Sequence, residues 1–184
     1  LRTVLEPKFG RLWIVHRLDK ETSGVLLLAR SLSCHKILNA QFEQRSIHKI
    51  YHAVIQGSPT WTEKEINLPL RVNGDRHHRT VVAPLTGKSA VTDVRVLKQF
   101  EAYCLVEAQP RTGYTHQIRA HLSSIGFPIL GDALYGAAIT PAPESSRVAL
   151  HALQISLNHP ATGEPITFTA PYPTDFNAML LNSK

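Results

Sequence analysis

The sequence predicts an α+β (mixed α/β) fold, a mainly antiparallel mixed sheet with helices at its flanks. Three observations carry this. Segments of period-two alternation recur along the chain, only two stretches place apolar residues at helical spacing, and glycine, proline and asparagine punctuate the intervals.

In chain order, the polar stretch His16-Arg17-Leu18-Asp19-Lys20-Glu21-Thr22-Ser23-Gly24 lies between two apolar runs, 12–15 and 25–29, which read as short buried strands. Ser31 or Ser33 caps a helix that places Cys34, Ile37, Leu38, Phe42 and Arg45 near one face. A strand over 49–56 alternates and stops at Gly57-Ser58-Pro59, which gives Tyr51 one defined face. The mixed segment 61–75 ends at the turn signal Asn73-Gly74 and reads as an irregular hairpin or lid, followed by a strand over 80–83. Segments 89–97 and 103–108 both alternate and are expected to pair antiparallel. Ile118, Leu122 and Ile125 fall at helical spacing, with Thr115 as N-cap and Gly126 as stop, and Arg119 projects beside that stripe. A loop over 137–146, strands over 148–157 and 166–170, and Pro171-Tyr172-Pro173 as the end of the ordered sheet complete the reading.

The 184 residues suffice for one large domain with its own core, so residues 1–184 are read as a single domain. Leu1 is not an initiator methionine, and the chain is expected to be a piece of a longer or processed protein. The longest apolar run falls far short of the roughly 20 residues that cross a bilayer, so no membrane partner is expected. Twenty basic against fourteen acidic residues give a net charge of +6, consistent with a polyanionic partner. Cys34 and Cys104, without CxxC spacing, fit reduced thiols in the cytoplasm.

Elimination narrows the chemistry. The ten histidines show no metal-ligand spacing and no HExxH, so no metal is expected. Ser23 sits in Thr-Ser-Gly and not in a nucleophile elbow, and the glycines do not cluster into a phosphate loop. A carboxylate with arginine remains. Asp19 lies between Arg17 and Lys20, with hydroxyls and a glycine just downstream.

The stretch from His16 to Gly24 resembles the catalytic motif of the RluA-type RNA pseudouridine synthases. Arg111-Thr112-Gly113-Tyr114-Thr115-His116-Gln117-Ile118-Arg119-Ala120-His121-Leu122 is similar to the family's later motif, Gly131-Asp132 to Tyr135-Gly136 follows it, and Tyr51 within Lys49-Ile50-Tyr51-His52-Ala53-Val54 matches the aromatic motif. Tyr114 stands where the family usually has arginine, and the family's N-terminal lysine-proline motif is not found before the catalytic loop. The resemblance implies a pseudouridine synthase-like catalytic domain whose N-terminal part is missing, and a cofactor-free isomerase acting on uridines of structured RNA, rRNA or tRNA. It implies Asp19 as nucleophile, Arg119 as its basic partner and Tyr51 as the ring that stacks on the target base. It further places Arg17, Arg111, His116, Gln117 and Leu153 in substrate binding and leads us to expect a monomer. Chemically, a glycosidic bond must break and reform through carbon with no net redox change. That needs an ionised carboxylate near C1′ or C6, a cation that keeps it ionised, and a closed pocket. Two other readings compete: a catalytically inactive RNA-binding module of the same fold, and, more weakly, a glycoside-cleaving enzyme, for which only one catalytic carboxylate is evident where a pair is usual.

Overall fold

The computed structural model describes residues 1–136 and 147–181; the loop expected over 137–146 lies outside them. In chain order the elements are α1 (Arg2–Phe9), β1 (Trp13–Ile14), β2 (Ser23–Gly24), β3 (Leu28–Ala29), α2 (Leu32–Glu43), β4 (His48–Gln56), β5 (Glu63–Asn67), β6 (Leu70–Arg71), β7 (Val81–Val82), β8 (Val91–Gln99), β9 (Tyr103–Pro110), α3 (Gln117–Ser124), β10 (Leu150–Asn158), β11 (Pro165–Thr169) and α4 (Thr174–Leu181).

The main sheet runs β11-β10-β4-β9-β8-β5, antiparallel throughout, and β2 joins β10 in parallel. This is the mixed, mainly antiparallel sheet that the alternation predicts, and β8 and β9 form the expected hairpin. Its centre is built from β-branched and small residues: Ala53, Val54 and Ile55 on β4 and Cys104, Val106 and Ala108 on β9 are sealed from solvent. Ile118 and Leu122 of α3 and Phe176 and Met179 of α4 complete that core. Burying one such large side chain contributes roughly 1.5–3 kcal/mol. A second cluster, Ala29, Leu38, Ile47, Ile155 and Leu157, joins α2 to β3 and β10.

Several local expectations need correction. The runs flanking the catalytic stretch are not buried strands: β1 and β3 are two residues each, pair only with one another, and leave Ile14 exposed. Helix α3 begins at His116, which takes the left-handed conformation (φ 56°), and not at Thr115; no side chain caps it. Ser31, and not Ser33, caps α2 by accepting the Cys34 N–H at 3.1 Å. Arg45 follows that helix at φ 57° and does not extend its apolar face. Among the described residues two further helices appear. α1 buries nothing and contains Pro7, so it carries no apolar stripe, and α4 follows directly where the sheet was expected to end.

The 16–24 stretch is docked on the sheet by Gly24. Gly24 sits at φ +115°, and a Cβ built there would lie 2.1 Å from the Ala152 carbonyl oxygen and 2.7 Å from the Ala152 nitrogen. Only glycine lets this backbone lie against β10. Val25 then donates its N–H to the Ala152 carbonyl at 2.9 Å, and the Ser23 hydroxyl meets His151 Nδ1 at 2.9 Å. His151 Nε2 faces the Ala170 carbonyl at 3.2 Å; the ring therefore donates there and accepts from Ser23. Gly24→Ala is expected to destabilise the fold by at least the roughly 1–3 kcal/mol of a strained backbone, read as a lower urea midpoint with an unchanged slope.

Candidate active site

Asp19 is carried by the loop between β1 and β2. Its carbonyl accepts the Thr22 N–H at 3.0 Å, closing a tight turn. Further out, His16 Nε2 accepts the Leu27 N–H at 2.9 Å and its ring stacks on Phe42, tying the two ends of the loop together. Burial, and then the nearby Lys49 ammonium, push the His16 pKa down to about 4, so the ring is the neutral acceptor that this geometry requires.

Arg119, on α3, reaches the same point from the opposite side. Its Nε and Nη2 donate to Asp132 Oδ2 and Oδ1 at 2.7 and 2.8 Å, and its Nη1 donates to Asp19 Oδ2 at 3.3 Å. The Arg119 side chain is 8% exposed, that of Asp132 0% and that of Asp19 18%. The guanidinium is thus gripped by a buried carboxylate and presented edge-on to one that faces a cavity. Burial opposes the charge on Arg119, but its bonds to Asp132 and the field of Asp19 outweigh this, and its pKa is raised. The Tyr135 ring lies 5.0 Å from the guanidinium carbon and covers its face.

Tyr135 also fixes His116. The Tyr135 hydroxyl accepts the Thr80 N–H at 2.8 Å and shares a hydrogen bond with His116 Nδ1 at 3.2 Å. The other ring nitrogen, Nε2, stands 3.8 Å from Asp19 Oδ2. Burial lowers the His116 pKa more than Asp19 raises it. Asp19, Arg119 and His116 open into a cavity of 440 Å³, whose lining also includes Tyr51, Arg17, Leu18, Lys49, Tyr114 and Leu150. Tyr51 projects from β4; burial and then the charge of Asp19 push its phenol up to about 12, so it is un-ionised near neutral pH. Arg17 is exposed at the cavity margin.

Three other residues expected in substrate binding differ in placement: Gln117 and Arg111 line the cavity with partners inside the protein, and Leu153 does not line it. The Gln117 amide accepts from Thr112 Oγ1 (2.7 Å) and the Tyr114 N–H (3.2 Å) and donates to the Val91 carbonyl and Thr92 Oγ1 (3.0 Å each). It has no donor or acceptor left for a substrate and instead staples the 112–117 turn to β8. Arg111 lines the cavity but holds both oxygens of Asp93 at 2.6 Å and Glu65 at 3.0 Å, so its charge is already matched. Leu153 falls at the β10 bulge and is not in the cavity wall, where Leu150 stands instead. Tyr114, at the usual arginine position, packs with Leu70, Ala90 and Ala120 while facing the cavity. The role of Asp132 was missed; its one sequence signal is its place directly after Gly131, behind the α3 motif. Among the described residues no group of His, Cys, Asp or Glu is placed to hold a metal ion, and no helix is long and apolar enough to cross a membrane.

A mainly antiparallel sheet that brings an aspartate loop, an arginine helix and a strand tyrosine to one cavity is the arrangement that the resemblance to the RNA pseudouridine synthases leads one to expect. This chain belongs to that family: the RNA pseudouridylate synthase family model matches residues 3–124. The chain is 39% identical over 181 residues to the ribosomal large subunit pseudouridine synthase D of Pseudomonas aeruginosa, and 41% identical over 170 residues to the uncharacterized RNA pseudouridine synthase YlyB of Bacillus subtilis. Each alignment covers 92% of this chain and 55% of the relative, so the chain spans about half the length of the curated relatives it matches. Its fold is similar to that of human RNA pseudouridylate synthase domain containing 1, with a TM-score of 0.82 and 27% identity over 95% of this chain and 76% of that one.

Two outcomes follow. Asp132→Ala leaves the Arg119 guanidinium buried beside a single partner and is expected to lower stability by about 3–5 kcal/mol in urea titrations. The folded-state pKa of His16 lies below its ordinary value of 6.5, so the unfolded chain binds more protons between pH 6.5 and about 4. The His16 contribution is therefore full above pH 6.5 and lost as pH falls toward 4, and His16→Gln is expected to flatten stability across that window.

Proposed function

We propose that this chain is the catalytic domain of an RNA pseudouridine synthase, one domain over residues 1–184, which isomerises specific uridines of structured RNA, rRNA or tRNA, without a metal or cofactor. The observation that carries the reading is the Arg119 guanidinium held by Asp132 and turned onto Asp19 at the floor of a cavity that Tyr51 also lines. Asp19, held in place by Arg119, attacks the target nucleotide at C1′ or C6. The N1–C1′ bond breaks, the uracil turns within the cavity, and a C5–C1′ bond forms while the bond to Asp19 breaks, the proton on C5 leaves and N1 takes one up, so composition and redox state are unchanged. Tyr51 holds the ring of the flipped base by stacking, a contact worth roughly 1–3 kcal/mol. Arg17 at the margin contacts the RNA backbone, and His116 stands beside Asp19 in the substrate-binding wall.

All of these groups come from one chain, which supports action as a monomer. Two free cysteines and an RNA substrate support a cytoplasmic setting. Because the C5 hydrogen must be released, tritium set free from RNA carrying [5-³H]uridine measures turnover directly. Asp19→Asn is expected to cut tritium release by at least about 10³-fold. Its affinity for large-subunit rRNA or tRNA transcripts should stay within about twofold, since losing a negative charge does not weaken attraction to phosphate. Arg119→Lys is expected to lose turnover nearly as strongly, because an ammonium cannot bridge Asp132 and Asp19 in the same geometry. Wild-type turnover retained by Asp19→Asn would overturn the reading.

A further inference from the structure

The cavity has a cationic wall that the chemistry of Asp19 leaves unused. Lys49 stands two residues before Tyr51 on β4, so both side chains leave the same face of the strand, about 7 Å apart along it. Its Nζ donates to the Thr112 carbonyl at 3.2 Å, and among the described residues no carboxylate lies within ion-pair distance of it. Gly113 keeps one approach clear: even a Cβ built there would stop 3.5 Å from Nζ. His16 nearby accepts a backbone N–H and stays neutral, so it neither offsets nor shares the charge. Arg45 lines the same cavity and likewise has no ion pair among the described residues.

A partly buried ammonium with a single neutral acceptor is unfavourable in the free protein, and an anionic ligand group in the cavity offsets that cost. We propose that Lys49, aided by Arg45, forms an anion subsite that takes a backbone phosphodiester flanking the target nucleotide while Tyr51 takes the base. This rests on the pseudouridine synthase reading and adds which wall of the cavity the RNA strand follows. The strand enters over β4 and the 111–113 segment, and the sugar is held between Lys49 and Asp19.

The test uses the full chain, as wild type, Lys49→Met and Lys49→Arg, on an RNA hairpin containing the uridine that wild-type enzyme is found to convert. Lys49→Met is expected to raise KM about tenfold or more with kcat held within about threefold, as for loss of a charged hydrogen bond. The slope of log affinity against log salt should fall by about one, and Lys49→Arg should restore both values. A single methylphosphonate at one of the two linkages flanking the uridine should weaken wild-type binding and leave Lys49→Met unaffected. Without RNA, Lys49→Met should unfold at a urea concentration equal to or above that of wild type, because a desolvated charge has been removed. A fall in kcat at unchanged KM and salt slope would overturn the proposal, as would a methylphosphonate penalty equal in both proteins or a less stable Lys49→Met. If wild type converts no uridine in rRNA or tRNA transcripts, the functional reading fails, while the salt slopes of wild type and Lys49→Met on those same transcripts still decide the subsite.

Discussion

One buried cation between two carboxylates organises this molecule. Arg119 belongs to α3, Asp132 to the turn that follows it, and Asp19 to a loop a hundred residues earlier in the chain. A guanidinium is planar and cannot shed its charge, so once two of its nitrogens are fixed on Asp132 the direction of the third is set. The loop has to bring Asp19 to that direction. Around it, Tyr135 covers the guanidinium face and holds His116, while Thr80 holds Tyr135. The three charged groups sum to one negative charge, so a localised anion faces a cavity whose other walls carry Lys49, Arg17 and Arg45.

How much of this can be read from the sequence depends on whether a residue's partner is local. The β8–β9 hairpin and β4 are legible because alternation is a local property, and the long α2 because its cap and stripe lie within four turns. α1 and α4 are not: each has eight residues, the first buries none of them and the second only Phe176 and Met179, too little for a period to show. Asp19, Tyr51 and Arg119 stand out because their motifs do. The same motifs do not say which side chains are already engaged. Gln117 and Arg111 have the residue types of RNA contacts, yet Gln117 is fully hydrogen-bonded within the protein and Arg111 is already paired with Asp93 and Glu65. Leu153 shows a third limit, because one extra residue at a bulge turns the next side chain away from its expected face.

Neutral histidines recur near the cavity. His16 accepts from a backbone amide, His116 is hydrogen-bonded to the Tyr135 hydroxyl, and His151 bridges Ser23 and the Ala170 carbonyl; burial lowers the pKa of all three. Each acts as an oriented hydrogen-bonding wedge and not as a charge. The electric field near neutral pH is therefore set by aspartate, arginine and lysine, while the imidazoles fix geometry.

The bulge at Leu153 also divides one edge of the sheet. Beyond it, β10 pairs with β11; before it, the same edge of His151 and Ala152 pairs with β2, the last two residues of the catalytic stretch. An uncovered strand edge is a template on which other chains can add. The segment that presents Asp19 to a substrate is thus also the cover that keeps β10 from self-association. A loop that swung away far enough to admit a bulky ligand from below would expose that template, so selection for solubility and selection for a rigidly placed Asp19 act on the same few residues.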